Sequence, residues 1–426
     1  MLQNNSDKKK IVIAGAGFAG LRLARKLRKT EFDITLLDKH NFHQFQPLFY
    51  QIATSGLEPS SISFPLRKIF QHSKNVHIRL CEITEIQSEN NILKTSVGDF
   101  GYDILVLALG ADTNFFGMKN IKEKALGMKT TPEAMRIRNL ILKNFEDALV
   151  TTDESTRLAM MNIAIVGGGP TGVELAGALS EMRKFVLPED FPELDFSKMN
   201  IYLLEAGSKL LGAMSEKSQN KVLNYLQNLG VEVMLNAQVK DFDGTNIYLN
   251  DKQIHAKTLI WAAGVSANTV SGLSQEILTR GNRLKTNRFN LVEGYENIYA
   301  LGDMAYMTEP DFPNGHPQVA QTAIQQADNL AKNFNNFLKN KPLKEFSYKD
   351  LGAMATVGRN LAVVDLKKMK FSGTIAWFFW LFVHLMAIVG VKNRVFIFVN
   401  WVVSYFTYDQ SLRLILQTSN PNTGNR

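Results

Sequence analysis

One pattern, present twice, constrains this chain more than anything else in it: an apolar run, a glycine turn, a helix-spaced apolar stretch, and a second apolar run closed by an acid. In the first copy, Ile11-Val12-Ile13-Ala14 leads into Gly15-Ala16-Gly17-Phe18-Ala19-Gly20. Leu21, Leu23, Ala24 and Leu27 then recur at helical spacing, and Ile34-Thr35-Leu36-Leu37 ends in Asp38, 23 residues after Gly15. The second copy runs Ile163-Ala164-Ile165-Val166, Gly167-Gly168-Gly169-Pro170-Thr171-Gly172, a helix through Val173, Leu175, Ala176, Leu179 and Met182, and Ile201-Tyr202-Leu203-Leu204 ending in Glu205. Each copy has the order of a dinucleotide-binding βαβ unit. So long a separation means two domains, not a stacked repeat. Gly167 and Glu205 are 38 residues apart, and the proline-flanked Leu187-Pro188-Glu189-Asp190-Phe191-Pro192 reads as an insertion after a helix ending near Val186.

The first glycine of such a turn permits a tight bend, the second lets backbone approach a pyrophosphate, and the third lets helix pack on strand. The helix N-terminus then offers free N–H groups and a positive dipole end to the phosphates. The acid closing the second strand accepts from ribose hydroxyls, which makes Asp38 and Glu205 the two ribose candidates. Three further apolar runs end in glycine turns: Ile104 to Ala111, Leu259 to Val265 with Gly264, and Asn297 to Leu301 followed by Gly302-Asp303. Gln318 to Phe334 has helical spacing.

The fold class is therefore α/β, with two Rossmann-like dinucleotide-binding domains and a C-terminal membrane-anchoring helical region. The expected segments are 1–120 and 286–345 for the FAD-binding domain, 121–285 for the NADH-binding domain, and 346–426 for membrane association and dimerisation.

Composition narrows the chemistry. The single cysteine, Cys81, removes an intramolecular disulfide, a redox-active pair and a cysteine-rich metal site. No metal is expected. Lys8-Lys9-Lys10 before an apolar run resembles a signal peptide, but that run is too short, so a first strand and a cytoplasmic address are expected. Two nucleotide folds without redox cysteines point to one flavin held permanently and one nicotinamide that comes and goes. FAD falls to the first turn because Asp303, far downstream, can return to it; the alternative for Asp303 is a loop cap. At the second turn Glu205 repels a 2′-phosphate and Ala206-Gly207-Ser208 offer no arginine, so NADH is expected over NADPH, although Lys209 leaves one cation nearby.

The tail changes character. Ile375 to Val391 is 17 mostly apolar residues, at the lower limit for crossing a bilayer, and Val395 to Tyr408 is apolar again. Trp377, Trp380, Trp401, Tyr405 and Tyr408 suit a headgroup boundary, and seven cations from Lys367 to Arg426 face Asp409 alone. An interfacial anchor on anionic lipid is expected over a spanning hairpin, with a buried helix pair or dimer interface as the alternative. The net charge of +8 does not indicate nucleic acid, because no basic helix or stripe lies outside the tail.

The glycine turns with Asp38, the segment Asn41-Phe42-His43-Gln44-Phe45-Gln46-Pro47-Leu48, Gly167 to Glu174, Asn297 to Asp303, and Ala320-Gln321-Thr322-Ala323-Ile324-Gln325-Gln326 together closely resemble the type II NADH:quinone oxidoreductases. The resemblance spans essentially the whole chain, including the tail. It implies tightly bound, non-covalent FAD, hydride transfer from NADH to flavin N5, and reoxidation by a membrane quinone without proton pumping. It further implies a homodimer lying monotopically on the cytoplasmic face of the inner cell membrane. It assigns Gly15, Ala16, Gly17, Phe18, Ala19, Gly20, Asp38, Lys39, Ile83, Asp303, Ala320, Gln321 and Lys370 to FAD, and Gly167, Gly169, Gly172, Glu205 and Gly264 to NADH. Gln321 and Gln325, four apart on one helix face, match quinone-site glutamines; without the resemblance they read as a polar helix face. Glu174 matches an essential acid in proton handling, while its bare reading is a favourable charge in the first helical turn.

Rival functions remain open at this level. A flavin disulfide or sulfide oxidoreductase needs a cysteine pair that this chain lacks. A reductase of a soluble electron-transfer protein has no use for the apolar tail, and a nucleotide-binding redox sensor would turn over slowly.

Overall fold

The computed structural model describes residues 8–407 and 412–416; Tyr408, Asp409 and Arg426, counted in the tail pattern, lie outside them. The chain forms two compact units, Met1–Gln44 with Phe64–Asp112 and Val265–Asp350, and Phe45–Ser63 with Thr113–Gly264 and Leu351–Arg426.

The first unit is built on a five-stranded sheet in the order Ile298–Ala300, Ile104–Leu107, Lys10–Ala14, Asp33–Asp38, Val76–Leu80. All its pairings are parallel, with Ile11 beside both Ile34 and Ile104. Parallel strands are covered on both faces, which is why Ile11 to Ala14 is apolar without alternation and buried throughout. The Lys10–Ala14 strand lies where the chain order reverses, the place where open α/β sheets bind ligands. Along the sheet, helices Phe18–Leu27 and Ala320–Leu338 pack together, and Arg22 makes a forked contact to Asp328 at 2.8 Å on each arm.

The second unit repeats the design with four parallel strands, in the order Val231–Met234, Ile201–Leu204, Ile163–Val166, Thr258–Trp261. Its glycine-turn helix, Pro170–Phe185, stops where the sequence places the stop. The insertion forms the short helix Leu187–Asp190 and packs Phe191 and Phe196 on Phe145 of helix Thr131–Val150.

Residues 351–407 count with this second unit. Strands Ala353–Gly358, Leu361–Asp365 and Lys370–Ser372 form an antiparallel sheet. The first of them runs so close to the glycine-turn helix that a Cβ on Gly177 would overlap the backbone of Val357. Helix Thr374–Ala387 buries Ala376 and Trp380 completely, and helix Val391–Thr407 is tied back by Trp401 Nε1 donating to Gln51 Oε1 at 2.9 Å. The expected apolar stretch is thus broken at Ile388 to Gly390, where Gly390 turns the chain with φ +87°. Among the described residues no helix is long and apolar enough to cross a membrane. Outward, the two helices leave Ile375, Phe378, Phe382, Phe396 and Phe406 exposed, Phe406 by 77%.

Candidate active site

At the first glycine turn, Gly15 has φ +101° and its added Cβ would overlap the Ala108 carbonyl, while a Cβ on Gly20 would overlap Gly15 O. The protein's own packing demands both glycines. Gly17 is different: an added Cβ meets nothing within 4 Å, and no side chain caps the helix that begins at Phe18. The open cradle and uncapped N–H groups suit a pyrophosphate. Asp38 Oδ2 accepts from Ala16 N at 2.6 Å and Oδ1 from His40 N at 2.7 Å. Burial pushes the Asp38 pKa up, and the two backbone N–H groups oppose the shift. The buried His43 holds the other side of the same peptide, its Nδ1 lying 2.9 Å from Ala16 O. Burial pushes His43 down to about 4, so the ring is neutral near pH 7 and Nδ1–H donates to that carbonyl.

The second turn has the same construction. A Cβ on Gly167 (φ +113°) or Gly172 would overlap protein backbone, whereas Gly169 is open. Glu205 Oε2 accepts from Gly168 N and Oε1 from Gly207 N, both at 2.6 Å. Gly264 follows the last strand, with the Phe116 ring beside it and its carbonyl accepting from Asn114 N at 3.0 Å. Both turns therefore fit dinucleotides.

The Gly302-Asp303 turn is held by two glutamines that the motif reading did not assign. Buried Gln326 Oε1 accepts from Gly302 N at 2.7 Å, and Gln318 Nε2 donates to Asp303 O at 3.1 Å. Ala320 and Gln321 open the adjacent helix. Gln325 is tied to backbone: its amide donates to Lys349 O at 2.9 Å and accepts from Lys349 N at 3.0 Å. Ile83 packs into the core of the first unit and Lys39 is exposed. Lys370 stands exposed on a strand of the second unit.

Glu174 lies in that second unit, one residue past the first turn of its helix and 8% exposed. Its Oε1 accepts from Trp380 Nε1 at 3.2 Å and lies 3.4 Å from Thr356 N. Burial pushes its pKa up to about 8 against these two donors. The first-turn dipole reading is therefore corrected, because desolvation outweighs a dipole effect that fades beyond the first turn. His384 stacks on the Trp380 indole with centroids 3.9 Å apart, and burial drives its pKa down to about 4. Sequence offered no signal for the Glu174–Trp380 pair, whose members are 206 positions apart.

Two glycine-turn sheets, each with an acid closed over its turn, define a two-nucleotide oxidoreductase. Residues 9–327 match the pyridine nucleotide-disulphide oxidoreductase family, and residues 351–408 match the NDH2 C-terminal domain. The chain is 34% identical over 414 residues to type II NADH:quinone oxidoreductase Ndh of Mycobacterium tuberculosis, covering 93% of this chain and 88% of that one. It is 30% identical to the type II NADH:quinone oxidoreductase of Staphylococcus saprophyticus, over 83% and 88% of the two chains. In fold it is similar to NDH2 from Plasmodium falciparum solved with NADH, with TM-score 0.87, 21% identity, and coverage of 96% of this chain and 100% of that one. The chain belongs to the type II NADH:quinone oxidoreductases.

Proposed function

We propose that this enzyme oxidises NADH and reduces a membrane quinone, with FAD bound non-covalently at the first glycine turn, from the cytoplasmic surface of the cell membrane and without pumping protons. The observation that carries this reading is the pair of open glycines, Gly17 and Gly169. Each stands at an uncapped helix N-terminus with an acid closed over the turn, so the chain is built for two dinucleotides. When bound, FAD accepts two electrons from a nicotinamide and releases them to a quinone.

The chain's own residues divide the work. Gly15 to Gly20 cradle the FAD pyrophosphate and Asp38 takes a ribose, with Lys39, Ile83, Asp303, Ala320, Gln321 and Lys370 as further FAD contacts. Gly167, Gly169, Gly172 and Gly264 receive NADH, and Glu205 binds its ribose while repelling a 2′-phosphate. Gln321 and Gln325 face the quinone, and Gln325 also holds its helix to Lys349. Glu174 is protonated near pH 7 and donates that proton to a quinone oxygen. Because Trp380 and Thr356 both address Oε1, the proton resides on Oε2.

In this reading 1–120 and 286–345 serve FAD, 121–285 serves NADH, and 346–426 serves the membrane and a homodimer. The exposed face from Ile375 to Phe406 lies in the lipid interface, with Lys367, Lys368, Lys392 and Arg394 drawing it to anionic headgroups. That face also disfavours a soluble protein acceptor.

The test is an anaerobic stopped-flow record of the yellow protein. NADH should bleach the flavin rapidly and NADPH slowly, and a soluble quinone should restore the colour promptly. Bleaching without recovery would reject the quinone, and no bleaching would reject the enzyme.

A further inference from the structure

Reduction of a quinone by NADH consumes a proton: NADH, H⁺ and quinone give NAD⁺ and quinol. The hydride supplies two electrons and one hydrogen, so the second hydrogen of the quinol comes from solvent. Glu174, as a buried donor, must be refilled each turnover.

The second unit contains a pocket of about 700 Å³ of atom-free space, part of it open to solvent, with Glu174 and Glu181 both in its lining. They stand seven positions apart on one helix, roughly 10 Å of rise, too far for direct transfer. Their surroundings differ: Glu174 is buried, whereas Glu181 is half-buried. Glu181 Oε1 accepts from Arg359 N at 2.5 Å. Arg359 donates in turn to the carbonyls of Ser404 and Tyr405, both at 2.8 Å, and so fixes the end of the last helix beside the carboxylate. Tyr50 lines the same pocket, and its buried hydroxyl feels the charge of both acids. That hydroxyl accepts from Gln51 Nε2 at 2.9 Å, which leaves its own O–H to donate. The titratable or charged groups lining the pocket with Glu181 are Glu174 on its own helix, Tyr50, Arg359, and Tyr405 from the last helix.

We propose that Glu181 is the proton-relay residue of quinone reduction, taking a proton from solvent at the pocket mouth and passing it through pocket water and the Tyr50 hydroxyl to Glu174. The step moves one proton and no electrons: Glu181 gains it from water, loses it inward, and returns to carboxylate. Burial raises the Glu181 pKa, the same direction in which burial moves Glu174. The proposal rests on the reading of Glu174 as the proton donor.

The experiment uses the full-length, FAD-loaded chain reduced anaerobically with NADH, then mixed with a soluble quinone and a pH-indicator dye. In Glu181→Gln the amide oxygen still accepts from Arg359 N, so flavin content and melting temperature should match the parent protein, as should bleaching by NADH. Flavin reoxidation and proton uptake should slow together by about tenfold or more. Sodium formate, small enough for the pocket, should restore part of the rate, and Glu181→Asp should fall between. Reoxidation at the parental rate in Glu181→Gln, or a slow rate that formate does not restore, would overturn the relay. Glu174→Gln separates the two readings. Parental reoxidation in Glu174→Gln sinks the donor role on which the relay depends, whereas slow Glu174→Gln with fast Glu181→Gln sinks the relay alone.

Discussion

Trp380 donates its indole N–H to Glu174 at 3.2 Å, so the same helix that exposes Phe378 and Phe382 also holds the buried acid of the nucleotide unit. The bond favours the charged form of the carboxyl and partly offsets the upward push of burial. Trp380→Phe keeps the apolar bulk and removes the donor. The Glu174 pKa should then rise further, by about one unit for a hydrogen bond to a charged group. In a pH profile of single-turnover quinone reduction the alkaline limb should move to higher pH; an unmoved limb would detach Trp380 from Glu174.

Glu174 has a stability signature of its own. Below about pH 4.5 its carboxyl is protonated in folded and unfolded chains alike, and it costs nothing. Between that value and about 8 the unfolded chain releases the proton while the folded one keeps it, so the cost grows with pH and is complete above about pH 8. The full difference is on the order of 5 kcal/mol. Glu174→Gln should therefore unfold at higher denaturant concentration than the parent at pH 8 and at nearly the same concentration at pH 5, while losing quinone turnover. Loss of flavin in this variant would instead make the residue structural.

The two kinds of glycine in the first turn should separate under mutation. Gly15→Ala places a Cβ into the Ala108 carbonyl at positive φ, and thermal melting should report a loss of about 2 kcal/mol or more. In Gly17→Val the new Cβ has no protein atom within 4 Å, so the protein should fold normally. The new side chain occupies the space in which the proposed FAD pyrophosphate would sit, and flavin retention on a desalting column should fall at least about tenfold. Full flavin content in folded Gly17→Val would move the cofactor away from this turn.

In the proposed function, cofactor choice rests on Glu205. Its two oxygens hold Gly168 N and Gly207 N, so Glu205→Ser both removes a charge and loosens the turn. Steady-state kcat/KM should fall for NADH and rise for NADPH, shifting their ratio by about tenfold or more. An unchanged ratio would place the 2′-position elsewhere.

Deleting the tail would also remove the fully buried Ala376 and Trp380, so point changes are the cleaner test of membrane attachment. Phe382 and Phe396 are 62% and 58% exposed, and replacing both with Glu should leave the melting temperature unchanged. Co-sedimentation with anionic liposomes should weaken at least about tenfold, since each change removes buried aromatic area and adds repulsion. Undiminished binding would sink the interfacial anchor.

The glycine turns were legible because every element of the motif is local: strand, bend, helix start and acid fall within a few dozen residues, and each has a backbone reason to be where it is. The role of Gln326, by contrast, was hidden behind its neighbour. Gln325 and Gln326 look alike in sequence, and only helix phase and packing turn one to the backbone of Lys349 and the other to Gly302. The tail was legible only in part. Its two apolar stretches were read with Trp380 and Trp401 at a headgroup boundary, yet Gly390 bends the chain between the helices and both indoles donate to side chains of their own unit, Glu174 and Gln51.

What the sequence by itself determined is the pair of nucleotide folds, the acid beside each turn, and an apolar end, since those follow from local spacing and the steric demands of glycine. What only the tertiary structure decided is the state of Glu174 and its neighbours. A carboxyl's proton affinity depends on how many waters it loses and which donors replace them. Here those donors arrive from Thr356 and Trp380, brought by folding to a helix they do not adjoin in the chain.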